Sequence, residues 1–421
     1  MSITRPDALD VHVALPARTV HAGTVTFRYR GATTTTEFTY SATYLATRGA
    51  YAVDPALPLA RATAIVEGLP AAFSDSTPDW WGRQLVSRTL RLEASAAGRQ
   101  PPLLTEPDYL VAVSDQTRQG NLRFAAPGTT AFLDPGASIP KLVSLPELLE
   151  ASDRVAANDD AGAADALKIL LAAGSATLGG ARPKASVQDE GQLLIAKFPF
   201  REDEWDVMAW EKTVLDLAEH CGIDVPERRL VDVSGRQVLL VSRFDRDPAG
   251  GRIGYVSART LAEVGSSASN DYLDLVAAIE DHSSNAVDDL HALWTRIAFT
   301  VATNNTDDHF NNHGFCRARG GWTLAPAFDI NINPQLAQPR TSTLAGADNR
   351  ERTLQTLVRE SAYFGLAEGE ARDGLLHISD RLNGWRDVAR ANGVPDRELD
   401  TVGWVLDDYR DRVAAHPRRG R

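Results

Sequence analysis

The chain has 421 residues, 43% hydrophobic and 24% charged, with a formal net charge of -12. That length predicts two or three domains rather than one small one, and the acidic balance excludes a protein that coats nucleic acid or an anionic membrane non-specifically. No run of about 18 apolar residues occurs, so no membrane span is expected.

The start, "MSITRPDALDVHVAL", lacks a basic region followed by an apolar stretch and a small-residue cleavage site. No signal peptide is therefore expected, and a cytoplasmic location is. The two cysteines, Cys221 and Cys316, stand in no Cys-x-x-Cys pair and are expected to be reduced thiols. Of 44 basic residues only Lys141, Lys168, Lys184, Lys197 and Lys212 are lysine. Where charge alone matters this chain uses Arg, so each Lys hints that a compact ammonium is wanted.

In chain order, Val25, Phe27 and Tyr29 alternate with polar residues, the period of a strand. "STPDWWGRQLVSRTLRLEAS" predicts a helix to about residue 95, with Thr77 as N-cap and Pro78 at the first helical position. "PPLLTEPDYL" and "DPGASIP" read as loops, and residues 156–166 as a linker or a mobile loop. "DAGAADALKILLAAG" reads as an amphipathic helix running into the glycine-bearing "GSATLGGARPKASV". "QLLIAKFPF" is a strand, "EWDVMAWEKTVLDLAEHCG" a helix ended by Gly222, and "RQVLLVSRFDRD" a further strand. From about residue 268 the pattern is mostly helical. Strands with helices first and a helical block after them predict an α+β chain with lobes.

The stretch Thr303 to Phe315, "TNNTDDHFNNHGF", is too polar for a core yet follows a segment that reads as a buried helix. Asp307 and Asn312 are separated by four residues, and Asp329 follows 17 residues after Asn312. Protein kinases use this order of Asp, Asn and Asp. One carboxylate accepts the proton of the attacking hydroxyl, while a neutral amide oxygen and a second carboxylate hold Mg²⁺, a hard cation that prefers oxygen. The competing reading is an Asn/Asp-rich helix end and turn.

Upstream, Gly179 and Gly180 in "SATLGGARPK" allow a backbone to approach phosphate closely, although neither a Walker A nor a G-x-G-x-x-G pattern is present. Lys197 lies in the next apolar strand, where a kinase-like fold places a phosphate-binding Lys; otherwise such a Lys sits at an edge. "LLVSRFDRD" suits a hinge that reads adenine through its backbone, or else a strand end with Arg243, Asp245, Arg246 and Asp247 exposed. Glu211 either pairs with Lys197 or lies on an exposed helix face beside Lys212.

The order of glycine loop, Lys strand, hinge, helix, Asp-x₄-Asn and Asp is that of a kinase. The phrases "GGARPKA", "LLIAKFP", "LAEHCGIDVPE", "VSRFDRD", "NNTDDHFNNHGF" and "LAPAFDI" resemble those of HipA-type serine/threonine kinases, the toxin halves of bacterial toxin–antitoxin pairs. The N-terminal "FTYSATYLATRGAYAVDPALPL" and "GLPAAFSDSTPDWWGRQLV" are similar to that family's first domain.

The resemblance implies a two-lobed protein-kinase-like α+β fold with an additional N-terminal α/β domain. It would comprise residues 1–135, a kinase N-lobe at 136–247 and a helical C-lobe at 248–421. It implies ATP and Mg²⁺ as cofactors, Asp307 as catalytic base, and Asn312 and Asp329 as metal ligands. Lys197 would meet nucleotide phosphate, and Leu178, Gly179, Gly180, Ala181 and Lys184 would belong to the loop covering the phosphates. The backbone of Ser242 and Phe244 would meet adenine. His309, in the catalytic segment where the family also has a His, is expected to brace the loop rather than transfer protons.

Family members are regulated by autophosphorylation in the glycine loop; the aligned residue is Thr177, where many relatives have Ser, with Ser175 close by. The implied partners are a helix-turn-helix antitoxin of the HipB type, DNA only through that antitoxin, and a Ser/Thr acceptor on a translation component such as an aminoacyl-tRNA synthetase. Two alternatives stand beside this. A kinase fold that only binds nucleotide would bind ATP without transfer. A metal hydrolase would use His309 and His313, four apart, but Phe310 stands where a zinc protease needs Glu.

Overall fold

The computed structural model describes residues 4–133, 139–157, 162–175, 180, 182–265 and 270–415. The chain forms two compact units. One joins Met1–Glu202 to Val231–Val256, and the other joins Asp203–Leu230 to Ser257–Arg421. The stretch 136–247 is thus divided between them.

The first unit begins with strands β1 (Ala8–Leu15), β2 (Arg18–Arg30) and β3 (Thr33–Tyr40), followed by β4 (Ala64–Glu67) and β5 (Leu122–Ala125). They form an antiparallel sheet in the order β4-β3-β2-β1-β5. The alternation around Val25 and Phe27 buries both side chains, along with Val11, Phe38 and Phe124. Phe73 packs edge-on against Phe38 and Phe124, with ring centroids 5.9 and 5.3 Å apart, an arrangement that adds to the area they bury.

Helix Trp80–Ala96 follows, but its cap is Asp79, whose Oδ1 accepts from the Gly82 amide at 2.7 Å. Thr77 instead donates its hydroxyl to the Ser74 carbonyl. Two helices, Leu145–Ala156 and Ala163–Ala172, lead to a second sheet. The sequence reading had no counterpart for the first of these helices, and the second takes up the end of the expected linker. The sheet comprises β6 (Lys184–Asp189), β7 (Gln192–Lys197), β8 (Arg228–Val233) and β9 (Arg236–Ser242), in the order β6-β7-β9-β8. One apolar core joins Trp81 and Leu85, Leu148 and Leu149, and Leu167 and Leu170 to Val187, Leu194 and Leu240 of the sheet. The helix after the N-terminal sheet therefore shares a core with the Lys197 strand.

The second unit is mainly helical. Helix Val207–His220 ends where Gly222 takes φ 81, and Ile223 donates back to the Ala218 carbonyl, the left-handed stop that glycine favours. Trp210 of that helix lies 6.1 Å from Trp385. Its indole donates to Glu398 at 3.1 Å. Helix Ala286–Ala302 runs through the core, with Leu293, Ile297 and Phe299 fully buried. A hairpin of Gly314–Ala318 and Gly321–Leu324 follows the polar stretch. No helix among the described residues is long and apolar enough to cross a membrane.

Candidate active site

The polar stretch begins as a helix stop. Asn304 adopts φ 52, and Asn305 donates to the Thr300 carbonyl while Asn304 donates to Val301. This closes helix Ala286–Ala302 with a left-handed residue that Asn tolerates better than most. The Asn304 side chain also donates to the carbonyls of Asn333 and Gln335. The chain leaving the helix is thereby tied to the segment just after Asp329.

The two aspartates that follow have opposite environments. Asp308 is 2% exposed. It accepts from the Tyr272 hydroxyl, meets His313 Nε2 at 3.1 Å and lies 3.6 Å from the Arg340 guanidinium. Burial alone would raise its pKa, but His313, Arg340 and the Tyr272 hydroxyl together hold it well below the usual carboxylate range. Arg340 also donates to Thr300 and to the Asn305 carbonyl, and Ser342 donates to the Asp308 carbonyl at 2.5 Å. These buried contacts fix the backbone on which Asp307 stands.

Asp307 is exposed. Its pKa is raised, chiefly by the protein around it; the Asp329 and Asp308 carboxylates raise it further and His309 opposes them. Asp329 and His309 are thus close enough to act on it electrostatically. Asn312 donates its amide to the Asp307 carbonyl at 2.9 Å, which leaves its side-chain oxygen as the atom suited to a metal. Asp329 is half-buried and holds φ 54, a backbone conformation costing a non-glycine residue about 1–3 kcal/mol and concentrated at functional sites.

Among the described residues no group of three or more His, Cys, Asp or Glu forms a metal cage. One carboxylate and one amide oxygen fit Mg²⁺, which is ordinarily held by one or two carboxylates together with substrate phosphates. The His309 and His313 pair does not form. Phe310–Asn312 is a single 3₁₀ turn, and the His313 ring is buried against Asp308. His309 is half-buried, with no hydrogen bond to its Nδ1, and the brace of the loop falls to His313, Tyr272 and Arg340.

In the first unit, Lys197 ends β7 and is 8% exposed. Lys184 pairs with it directly across the antiparallel ladder. Two like charges so placed would repel. Lys184 is instead neutralised by Asp79, 3.3 Å away and largely shielded from solvent, so the residue that caps helix Trp80–Ala96 also holds this ammonium. Gly180 takes φ 102, which suits a turn. Ser175 is fully buried and its hydroxyl makes no hydrogen bond. Thr177, Leu178, Gly179 and Ala181 lie outside the described residues.

Ser242 pairs with Leu194 in the sheet, and the Phe244 ring lies 6.0 Å from that of Tyr255. The charges around them are not exposed as a bare strand end would have them: Arg243 is 7% and Asp245 1% exposed, although Asp247 does face solvent. Glu211, in the second unit, is likewise buried at 2% rather than on an exposed helix face.

Residues 13–100 match the HipA N-terminal domain family, and residues 176–385 match the HipA-like C-terminal domain family. The chain belongs to the HipA family. No curated protein matches it at significant similarity. The HipA of Shewanella oneidensis, solved with HipB and its operator DNA, aligns over 97% of this chain and 96% of its own, at 15% identity with a TM-score of 0.64. The two share a fold. The Helicobacter pylori proinflammatory kinase CtkA aligns over 56% of this chain and 90% of its own, at 18% identity and a TM-score of 0.44. The Streptococcus pneumoniae choline kinase LicA aligns over 56% and 91%, at 11% identity and a TM-score of 0.21.

Proposed function

We propose that this HipA-family chain is an ATP-dependent protein serine/threonine kinase. The observation that carries the reading is the aspartate doublet: Asp308 is locked in a buried network, and Asp307 beside it is presented to solvent near Asp329 and Asn312. A Ser or Thr hydroxyl of the acceptor attacks the γ-phosphorus of ATP. The new O–P bond forms as the bond to the β–γ bridging oxygen breaks, ADP leaves, and the hydroxyl proton passes to Asp307. Asn312 and Asp329 would hold Mg²⁺ together with the nucleotide phosphates, and the ion would neutralise phosphate charge when bound. Lys197 supplies a further positive charge to the phosphates, with the Leu178–Lys184 loop over them and the Ser242–Phe244 backbone against adenine. Lys184, across the ladder from Lys197 and paired with Asp79, adds a second positive charge at the end of this loop. His309 stays at the edge of the loop and moves no proton.

The same reading extends to regulation and partners. Thr177 or Ser175 is the autophosphorylation site, and phosphate there repels the nucleotide's own phosphates. Ser175 must leave its buried position to be modified, which favours Thr177. A HipB-type helix-turn-helix antitoxin is the proposed partner, supported by the presence of HipB and operator DNA with the Shewanella protein; DNA is reached only through it. The proposed acceptor is a translation component, an aminoacyl-tRNA synthetase by the family resemblance, in the cytoplasm.

The test is the intact mass of purified protein incubated with Mg²⁺-ATP beside Asp307→Ala, together with transfer to a Ser/Thr acceptor. Phosphate gained by the wild type alone, with both proteins folded, supports the reading. Equal phosphorylation by Asp307→Ala refutes the assignment, and ATP binding without transfer to any acceptor identifies a binding module.

A further inference from the structure

The buried charges at residues 243–252 have no role in the reaction described above. Asp245 accepts two hydrogen bonds from Arg243, at 2.7 and 2.5 Å, one from Arg246 at 2.8 Å and one from the Gly120 amide at 2.7 Å. The same guanidinium groups continue into the loop before β5. Arg243 donates to the Thr117 carbonyl at 2.9 Å, Arg246 to Arg118 at 2.8 Å, and Arg252 to the carbonyls of Arg118 and Gly120 at 3.2 and 3.3 Å. Gly120 holds φ +71, and a Cβ there would meet the Tyr255 backbone at 3.2 Å. Tyr255 in turn faces the Phe244 ring. Loop 117–120 is therefore held by side chains on both sides of Phe244; Asp245 holds Arg243 and Arg246, while Arg252 pairs with Asp115.

We propose that Asp245 is a positioning residue for nucleotide recognition. It locks the Ser242–Phe244 backbone to loop 117–120, so the N-terminal sheet is part of the adenine-reading apparatus rather than an appended module. This rests on the reading that the Ser242–Phe244 backbone meets adenine. Without the carboxylate charge, Arg243 and Arg246 repel one another in a buried site and the Gly120 amide loses its acceptor, while Arg252 keeps its pair with Asp115. The phosphate-binding residues are untouched, so the loss falls on the base.

The experiment measures calorimetric affinities of the full chain with Mg²⁺ for ATP, adenosine and inorganic tripolyphosphate, at a temperature where every variant is folded by circular dichroism. Asp245→Asn is compared with Tyr40→Phe, which perturbs the N-terminal sheet through the Tyr40 bonds to Leu57 and Val53 but not the clamp. The expected result is an about tenfold loss for adenosine and ATP in Asp245→Asn, with tripolyphosphate unchanged within about twofold and Tyr40→Phe unchanged for all three. If Asp245→Asn does not fold, Arg246→Ala carries the same test, with an about threefold selective loss expected. Unchanged adenosine affinity in the folded variant, or equal losses for adenosine and tripolyphosphate, overturns the proposal while leaving the kinase reading intact. Failure of the wild type to bind ATP or adenosine overturns both.

Discussion

Replacing Asp308 by Asn tests the brace beneath the proposed catalytic base. The side chain is 2% exposed, and its partner Arg340 is 6% exposed. Removing one member of a buried ion pair costs about 3–5 kcal/mol, because the other charge stays buried without compensation. Two features place Asp308→Asn at the lower end. Asn keeps the volume and can still accept from Tyr272, and Arg340 retains acceptors at Thr300 and Asn305. About 3 kcal/mol in a unit of roughly 200 residues lowers the melting temperature by about 6–12 °C, measured by differential scanning calorimetry.

The pH dependence gives a second readout. The native pKa of Asp308 lies below its unfolded value, because His313, Arg340 and Tyr272 outweigh burial. Its stabilisation is therefore complete above the unfolded pKa of about 3.9 and is lost as pH falls towards the native value. The gap between wild type and Asp308→Asn should be flat from neutral pH down to about 4–5 and narrow below that. A shift under about 2 °C, or a gap that closes already near pH 6, refutes the network as the source of loop stability.

Two further predictions concern packing and thiol chemistry. A Cβ at Gly403 would lie 2.3 Å from the Trp385 ring and 2.8 Å from that of Trp210, and both indoles are held in place by hydrogen bonds to Asp407 and Glu398. Gly403→Ala should therefore destabilise by about 2–3 kcal/mol, whereas Gly369→Ala, in a helix with open space around it, should stabilise by up to about 1 kcal/mol; urea unfolding of both reads the contrast, and equal signs would show that the Trp pair yields. Cys221 is buried, which pushes its thiol up to about 12, while Cys316 is partly accessible. An aromatic disulfide reagent at pH 8 should titrate one thiol in the native chain and the second only after unfolding, and two equally fast thiols would contradict the burial.

The sequence was most legible where a pattern is local. The period-two run through Val25 and Phe27 and the helix closed by Gly222 both depend on neighbours within a turn or a strand. What escaped reading depends on partners far along the chain. Asp79 shows no special role in the sequence until Lys184, 105 residues later, is found against it. Asp245 reads as a solvated strand end because its anchoring amide at Gly120 is 125 residues away. For Glu211 and Arg243 charge leaves an exposed position as one of two readings, the usual place of a charged side chain, and both are buried. Several of the misjudged positions are thus charges whose burial is set by a remote partner.

The Asp307–Asp308 doublet shows how that burial serves the site. The two residues have the same side chain, and they stand on backbone that is neither helix nor sheet. Asp308 is turned into the protein and Asp307 faces solvent. Residues far apart in sequence choose which: Tyr272 before the central helix, and Arg340 and Ser342 beyond Asp329. With Asp308 fixed, Asp307 faces solvent, and its proton affinity is raised first by the protein around it and then by the carboxylate of Asp329. A base on a polar loop would otherwise sample many positions, and each misplacement of about 1 Å costs rate heavily. In the proposed mechanism the buried member of the doublet supplies rigidity and the exposed member the carboxylate that takes the proton.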